Sequence, residues 1–190
     1  MSGRSRETTT PSRGMTLWLT GLPCAGKTTI AQGLFEALRA RGQAVELLDG
    51  DEIRKEFSAG VGFSREERCA HLRRVGFLCR LLTKHGVTVI AAFVSPYRET
   101  RDDARRMVGD GFAEIFVDTP LAECIRRDVK GMYRRALAGE IRQFTGISDP
   151  YEPPLAPELT LRTMEHSVEE CVNQVLELTD SRMSLGRVGS

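Results

Sequence analysis

The stretch Gly21-Leu22-Pro23-Cys24-Ala25-Gly26-Lys27-Thr28 constrains this chain more than any other, because it fills every fixed position of the phosphate-binding pattern G-x-x-x-x-G-K-[ST]. Such a loop works through backbone N–H groups that converge at a helix N-terminus, so it needs a strand before it and a helix after it. Both flanks are present. Met15 to Thr20 is an apolar run of strand length, and from Thr29 to Arg41 the residues Ile30, Leu34 and Leu38 recur four apart. In this reading Gly21 and Gly26 permit the turn, Leu22, Pro23, Cys24, Ala25 and Thr29 complete the cradle, Lys27 reaches the terminal phosphates of ATP, and Thr28 ligates Mg²⁺. A plain glycine-rich turn is the alternative, and it leaves both flanks unexplained.

The remaining elements alternate. Ala44-Val45-Glu46-Leu47-Leu48, Val87 to Val94, Phe112 to Val117 and Glu158 to Thr163 read as strands, separated by helical spacings. Ser64 with Glu67, and Ser167 with Glu170, have the spacing of capping boxes that start two of the helices. Alternation of this kind predicts an α/β chain with right-handed crossovers. The expected architecture is a P-loop NTPase-like three-layer fold, a parallel five-stranded sheet with helices on both faces and a helical lid. Residues 15–179 are expected to form one domain, flanked by polar tails over residues 1–14 and 180–190.

The strand before Asp49-Gly50-Asp51 ends in two carboxylates, and strand ends of open parallel sheets are where ligands bind. An N-cap and turn for the segment Glu52 to Phe57 is the competing reading. Val87 to Val94, read as a central strand, has no acidic end, so Asp49 and Asp51 are the nearest acids for a metal or an acceptor, and Ser95 stands where that acid would be. Leu121 to Gln143 carries six basic residues against three acidic ones, a solvated helical pair or a cationic lid over phosphates. The Pro- and Gly-rich segment Phe144 to Pro154 reads as a long functional loop.

Charge and composition exclude several classes. With 27 basic and 26 acidic side chains the net charge is +1, which predicts no nucleic-acid partner. No apolar run approaches the roughly 20 residues of a membrane span, so a cytoplasmic protein with no membrane partner is expected. Five cysteines without a C-x-x-C pair suggest neither disulfides nor a zinc site. Cys24 reads either as a small buried filler or as a reactive thiol beside the phosphates.

Taken together, these motifs resemble the adenylylsulfate kinase family over about residues 15–177. The resemblance rests on Asp49-Gly50-Asp51 with Arg54, on Gly62-Phe63-Ser64 followed by Arg68 and Arg73-Arg74, and on Ser95-Pro96-Tyr97-Arg98. It continues through Arg127-Asp128-Val129-Lys130-Gly131-Met132-Tyr133 and Phe144-Thr145-Gly146-Ile147 with Pro150-Tyr151-Glu152. It implies transfer of phosphate from MgATP to the 3′-hydroxyl of adenosine 5′-phosphosulfate (APS). Lys27, Asp51, Lys130 and Ser95 would be catalytic, with Asp51 as the base and Ser95 a residue that takes a phosphate in the family. Arg54, Arg68 and Lys130 would hold the anionic groups, Phe63 and Phe144 would sandwich the adenine, and Val94, Gly146 and Ile147 would line the acceptor site.

The chain departs from the family at Pro23 and Cys24, usually Ser and Gly, and at His71, usually Asn. His71 would touch the acceptor, and titration near its ordinary pKa would make the acceptor KM rise from pH 6 to 8. A kinase of another small nucleotide-like acceptor and a non-catalytic nucleotide-binding regulator stay open beside APS kinase. Oligomeric state is also open, a homodimer included.

Overall fold

The structure, a computed structural model, describes residues 14–57, 62 and 64–185. Five strands, β1 (Thr16–Thr20), β2 (Val45–Asp49), β3 (Thr88–Ala92), β4 (Phe112–Asp118) and β5 (Leu159–Arg162), pair in the order β2-β3-β1-β4-β5, and every pairing is parallel. The centre of the sheet is therefore β1 and not the Val87 to Val94 run. β1 is flanked by β3 and β4, so its residues are buried on both faces and at both edges. β3 is an interior strand that stops at Ala92, leaving Ser95 three residues beyond its end.

Among the described residues six α-helices lie between the strands, α1 (Lys27–Ala40), α2 (Gly50–Phe57), α3 (Arg65–Lys84), α4 (Arg98–Val108), α5 (Leu121–Arg127) and α6 (Met132–Leu137), and α7 (Val168–Leu185) follows β5. The period-two alternation of the strands divides the core in two. Leu17, Leu19, Ile90 and Ile115 face α1 and α7, packing on Ile30, Leu34, Leu38 and Val175. Trp18, Val89 and Ala91 face the other way, onto Leu72, Val75, Cys79 and Ala104 of α3 and α4. Helices on both faces of one parallel sheet make the expected three layers.

Both capping boxes form. The Ser64 side chain accepts from the Glu67 N–H while the Glu67 carboxylate accepts from the Ser64 N–H, and Ser167 and Glu170 repeat the exchange. Two backbone N–H donors, from Ser64 and Gly62, hold the Glu67 carboxyl below the usual carboxylate range.

The expected tail from residue 180 is corrected over residues 180–185. α7 continues to Leu185, because Arg182 donates to the Phe112 carbonyl at 2.8 Å and pairs with Glu158 at 3.2 Å, while Asp180 pairs with Arg41, the residue just past α1, at 3.1 Å. A polar sequence is helical there because its charges have partners on the sheet and just past α1. Residues 1–13 and 186–190, which carry the rest of the expected tails, lie outside the described residues.

Candidate active site

The phosphate-binding loop follows β1 directly. Gly26, at φ 106° in the left-handed region that favours glycine, turns the chain into α1, and no side chain caps that helix N-terminus. Its first N–H groups thus face the loop, where an anion would complete them. Lys27 is buried, and its ammonium donates to the carbonyls of Gly21 at 3.0 Å and Leu22 at 2.7 Å. Burial lowers its pKa to about 8. Cys24 sits in the loop at φ 60° and is half-buried, Ala25 is fully buried, and Thr28 and Thr29 are exposed.

At the end of β2 the Asp49 carboxylate makes the turn contact of the competing reading and also reaches the phosphate loop. One carboxylate oxygen accepts from the Asp51 N–H at 2.9 Å, which starts α2, and the other accepts from the Thr28 hydroxyl at 2.9 Å. Hard oxygen donors at that point suit Mg²⁺. Among the described residues no three His, Cys, Asp or Glu side chains cluster, so an ion beside Thr28 would draw most of its ligands from phosphates and water. Asp51, exposed on α2, forms an ion pair with Lys130 from the turn between α5 and α6, and the carboxylate raises the lysine's pKa.

The third wall is the segment after α6. Arg68 of α3 donates to Thr145 Oγ1 at 2.7 Å and to the Gln143 carbonyl, and lies 3.7 Å from Asp149. Tyr97, buried at the start of α4, donates to the Asp149 carboxylate at 2.9 Å. Residues 144–149 close on themselves, since the Phe144 carbonyl accepts from the N–H groups of Ile147, Ser148 and Asp149. Arg54 donates to the Gly62 carbonyl, next to the Glu67 cap, and burial and the Arg68 charge lower its pKa. Gly146 and Ile147 lie in this loop, and the Val94 carbonyl accepts from Thr20 Oγ1 at 2.9 Å.

Three further expected site residues are buried. Ser95 is buried, with φ 38°, and its hydroxyl donates to Thr20 Oγ1 at 2.9 Å while accepting from Trp18 Nε1 at 3.1 Å. Its oxygen is committed inside the sheet, so it does not present itself to a phosphate in this conformation. Phe144 is buried and stands edge-on to Tyr133, with ring centroids 4.9 Å apart. His71 is 4 % exposed on the core face of α3, its ring 6.0 Å from that of Phe93. Burial, and then the Arg54 and Arg74 charges, lower its pKa to about 4. The ring is neutral throughout pH 6 to 8, so the expected rise in acceptor KM over that range has no source in His71. Phe63, the other expected stacking residue, lies outside the described residues.

Arg101 is the residue that sequence reading missed. It lies on α4 among Arg98, Arg105 and Arg106, yet it is 2 % exposed. Its guanidinium donates to Glu114, to the Ser95 carbonyl and to the Glu152 carbonyl, each at 2.6 Å, and so joins β4, the turn after β3 and the segment around Tyr151. Tyr151 in turn lies 3.0 Å from Thr20 Oγ1 and stacks on Phe116. The signal was Glu114, a carboxylate within an apolar interior strand that requires a buried cation.

The family model described as adenylylsulphate kinase matches residues 13–162. The adenylyl-sulfate kinase of Gloeothece citriformis is 53% identical over 168 residues, 88% of this chain and 95% of that protein. Among solved structures, the Mycobacterium tuberculosis APS kinase CysC, in complex with AMPPNP and APS, superposes with a TM-score of 0.86 at 40% identity, covering 90% of this chain and 99% of the other. A hexameric APS kinase from Thiobacillus denitrificans superposes with a TM-score of 0.71 at 34% identity, covering 91% of this chain and 30% of that longer one. With the phosphate loop, the Asp49-Gly50-Asp51 strand end and the 144–152 loop joined at one end of the sheet, and with matches of this extent, the chain belongs to the adenylylsulfate kinase family.

Proposed function

We propose that this protein transfers the γ-phosphoryl group of MgATP to the 3′-hydroxyl of adenosine 5′-phosphosulfate, giving 3′-phosphoadenosine 5′-phosphosulfate and ADP. The observation that carries the reading is the unbroken chain of contacts Thr28–Asp49–Asp51–Lys130, which joins the phosphate loop to a carboxylate and a cation on the acceptor side. Family membership and the APS-bound relative support the same acceptor.

Phosphoryl transfer asks mainly for alignment and charge stabilisation. The backbone N–H groups of the phosphate loop, other than Pro23 which has none, and the Lys27 ammonium hold the phosphates, Lys27 leaving the Gly21 and Leu22 carbonyls to do so. Asp51 receives the proton of the acceptor hydroxyl as its oxygen bonds to the γ-phosphorus and the bond to the β–γ bridging oxygen breaks. Lys130, paired with Asp51, moves onto the transferring phosphoryl group, and Arg54 and Arg68 hold the 5′-phosphosulfate. Thr28 and Asp49 would hold Mg²⁺, which supplies neutralisation of phosphate charge when bound.

We further infer a cytoplasmic protein. No helix among the described residues is long and apolar enough to cross a membrane. We also infer self-association, in keeping with the hexameric relative, with a homodimer as the form to be tested by sizing.

The test is incubation with ATP, Mg²⁺ and a panel of acceptors, read by product mass. Acceptor-dependent ADP release with one phosphate added to APS is expected. Phosphorylation of a different nucleotide alone, or ATP retention without turnover, would overturn the assignment.

A further inference from the structure

Tyr133 is completely buried in α6, yet it belongs to neither the expected nucleotide cradle nor the expected acceptor set. Its hydroxyl donates to the carbonyl of Pro23 in the phosphate loop at 3.1 Å, and its ring meets Phe144 of the acceptor loop at an interplanar angle of 81°. The two loops also touch directly. Gly146, at φ 92°, lies so close to the phosphate loop that a Cβ there would come within 3.0 Å of Leu22 Cδ2. A larger residue would be strained at this φ and would make the Leu22 side chain give by a few tenths of an ångström.

The same short segment reaches the catalytic side. Asp128 accepts from the N–H groups of Tyr133 at 2.9 Å and Arg134 at 3.0 Å, tying the start of α6 to the turn that carries Lys130. Pro23 has no N–H and a ring-fixed φ, so this part of the loop is stiff and passes on a displacement instead of absorbing it. Lys27 holds the Gly21 and Leu22 carbonyls, the residues immediately before Pro23. Phosphates that draw the ammonium off those carbonyls therefore readjust the loop at the point where Tyr133 grips it.

Resting on the function proposed above, we infer that Tyr133 is a positioning residue that couples the two substrates, transmitting nucleotide occupancy of the phosphate loop to the acceptor loop 143–149 through the Pro23 carbonyl on one side and the Phe144 ring on the other. Burial raises the phenol's pKa, so the hydroxyl stays a donor at any working pH. Coupling of this kind is reciprocal, and APS must tighten AMPPNP by the same factor as AMPPNP tightens APS.

The experiment measures APS affinity by calorimetry with and without AMPPNP, for the native protein, Tyr133→Phe and Phe144→Leu. In the native protein AMPPNP should tighten APS about 5-fold or more, the lower end of ordinary coupling between sites. In Tyr133→Phe, which removes only the hydroxyl, the factor should drop below about 2-fold while AMPPNP alone binds nearly as before. Phe144→Leu leaves the Pro23 hydrogen bond in place and breaks the ring contact; it should lose the factor too, and it decides the matter if Tyr133→Phe fails to fold. Retention of the native factor in either folded variant, or an equal loss of both affinities with the factor unchanged, overturns the inference and leaves Tyr133 a packing residue. A native protein that makes product but shows no tightening overturns the coupling alone. One that neither binds nor phosphorylates APS overturns the functional reading with it.

Discussion

The carboxylate of Asp51 and the ammonium of Lys130, 79 positions apart in sequence, form an ion pair over the mouth of the phosphate loop. Both side chains are well exposed, at 68% and 63% of their surface. An exposed pair contributes little to stability, so substitutions at either residue separate a catalytic role from a folding one. In the mechanism proposed above, the acceptor hydroxyl and the phosphoryl group would replace this mutual pairing.

Asp51→Asn preserves shape and hydrogen bonding but cannot accept a proton. Turnover should fall by roughly 10²-fold or more, while the thermal midpoint stays close to that of the native protein. The Asp49 carboxylate that starts α2 is untouched by this change. A collapse of the midpoint with activity per folded molecule intact would assign Asp51 to structure.

Nucleotide binding should become pH-dependent through Lys27. Its pKa is lowered to about 8 by burial in the free protein, and bound phosphates favour the charged form. Below pH 8 the ammonium is already present. Above it, binding must take up a proton, so AMPPNP affinity should fall as pH rises from about 8 to 10, by up to about tenfold per unit. Calorimetry at pH 9 in two buffers of different ionisation enthalpy measures the uptake directly, and no uptake would show that Lys27 is charged before binding.

His71 makes stability, not acceptor affinity, depend on pH. Its folded pKa is about 4 and its unfolded value about 6.5, so the unfolded chain binds the extra proton between those limits. The contribution is complete above pH 6.5 and is lost as pH falls toward 4, amounting to about 2 to 3 kcal/mol. Urea midpoints measured across this window should drop more steeply for the native protein than for His71→Asn. Parallel profiles would place the imidazole in water.

Arg101→Met should be the most destabilising single change among those considered. It leaves Glu114, 6% exposed, with Arg105 at 3.4 Å, removes the Arg101 donor from the Glu152 carbonyl, and leaves the Ser95 carbonyl with Thr20 Oγ1 at 3.4 Å. Breaking a buried pair from one side costs about 3 to 5 kcal/mol. Arg101→Met combined with Glu114→Met removes the stranded charge and should recover part of the loss in urea unfolding. A double variant weaker than the sum of the singles would contradict the pairing.

The sequence by itself determined the phosphate loop with its flanking strand and helix, both capping boxes and the alternation that makes an α/β chain, since each is written in spacings of two to four residues. Asp49 and Asp51 stood out in the sequence as two carboxylates at a strand end, with a cap and turn as the competing use, and Lys130 was singled out by the family resemblance. Tertiary structure alone decided that β1 is the central strand, because strand order depends on which crossover lands beside which edge. It also decided the fates of polar residues whose surroundings come from distant segments. Arg101 is buried by Glu114 and the Ser95 turn, His71 by Phe93, and the Ser95 hydroxyl by Trp18 and Thr20. α7 outlasts its polar sequence because Arg182 and Asp180 find partners on β4, on Glu158 and just past α1. A side chain's local pattern sets which way it points, but burial, charge state and partner are properties of the far segment it meets.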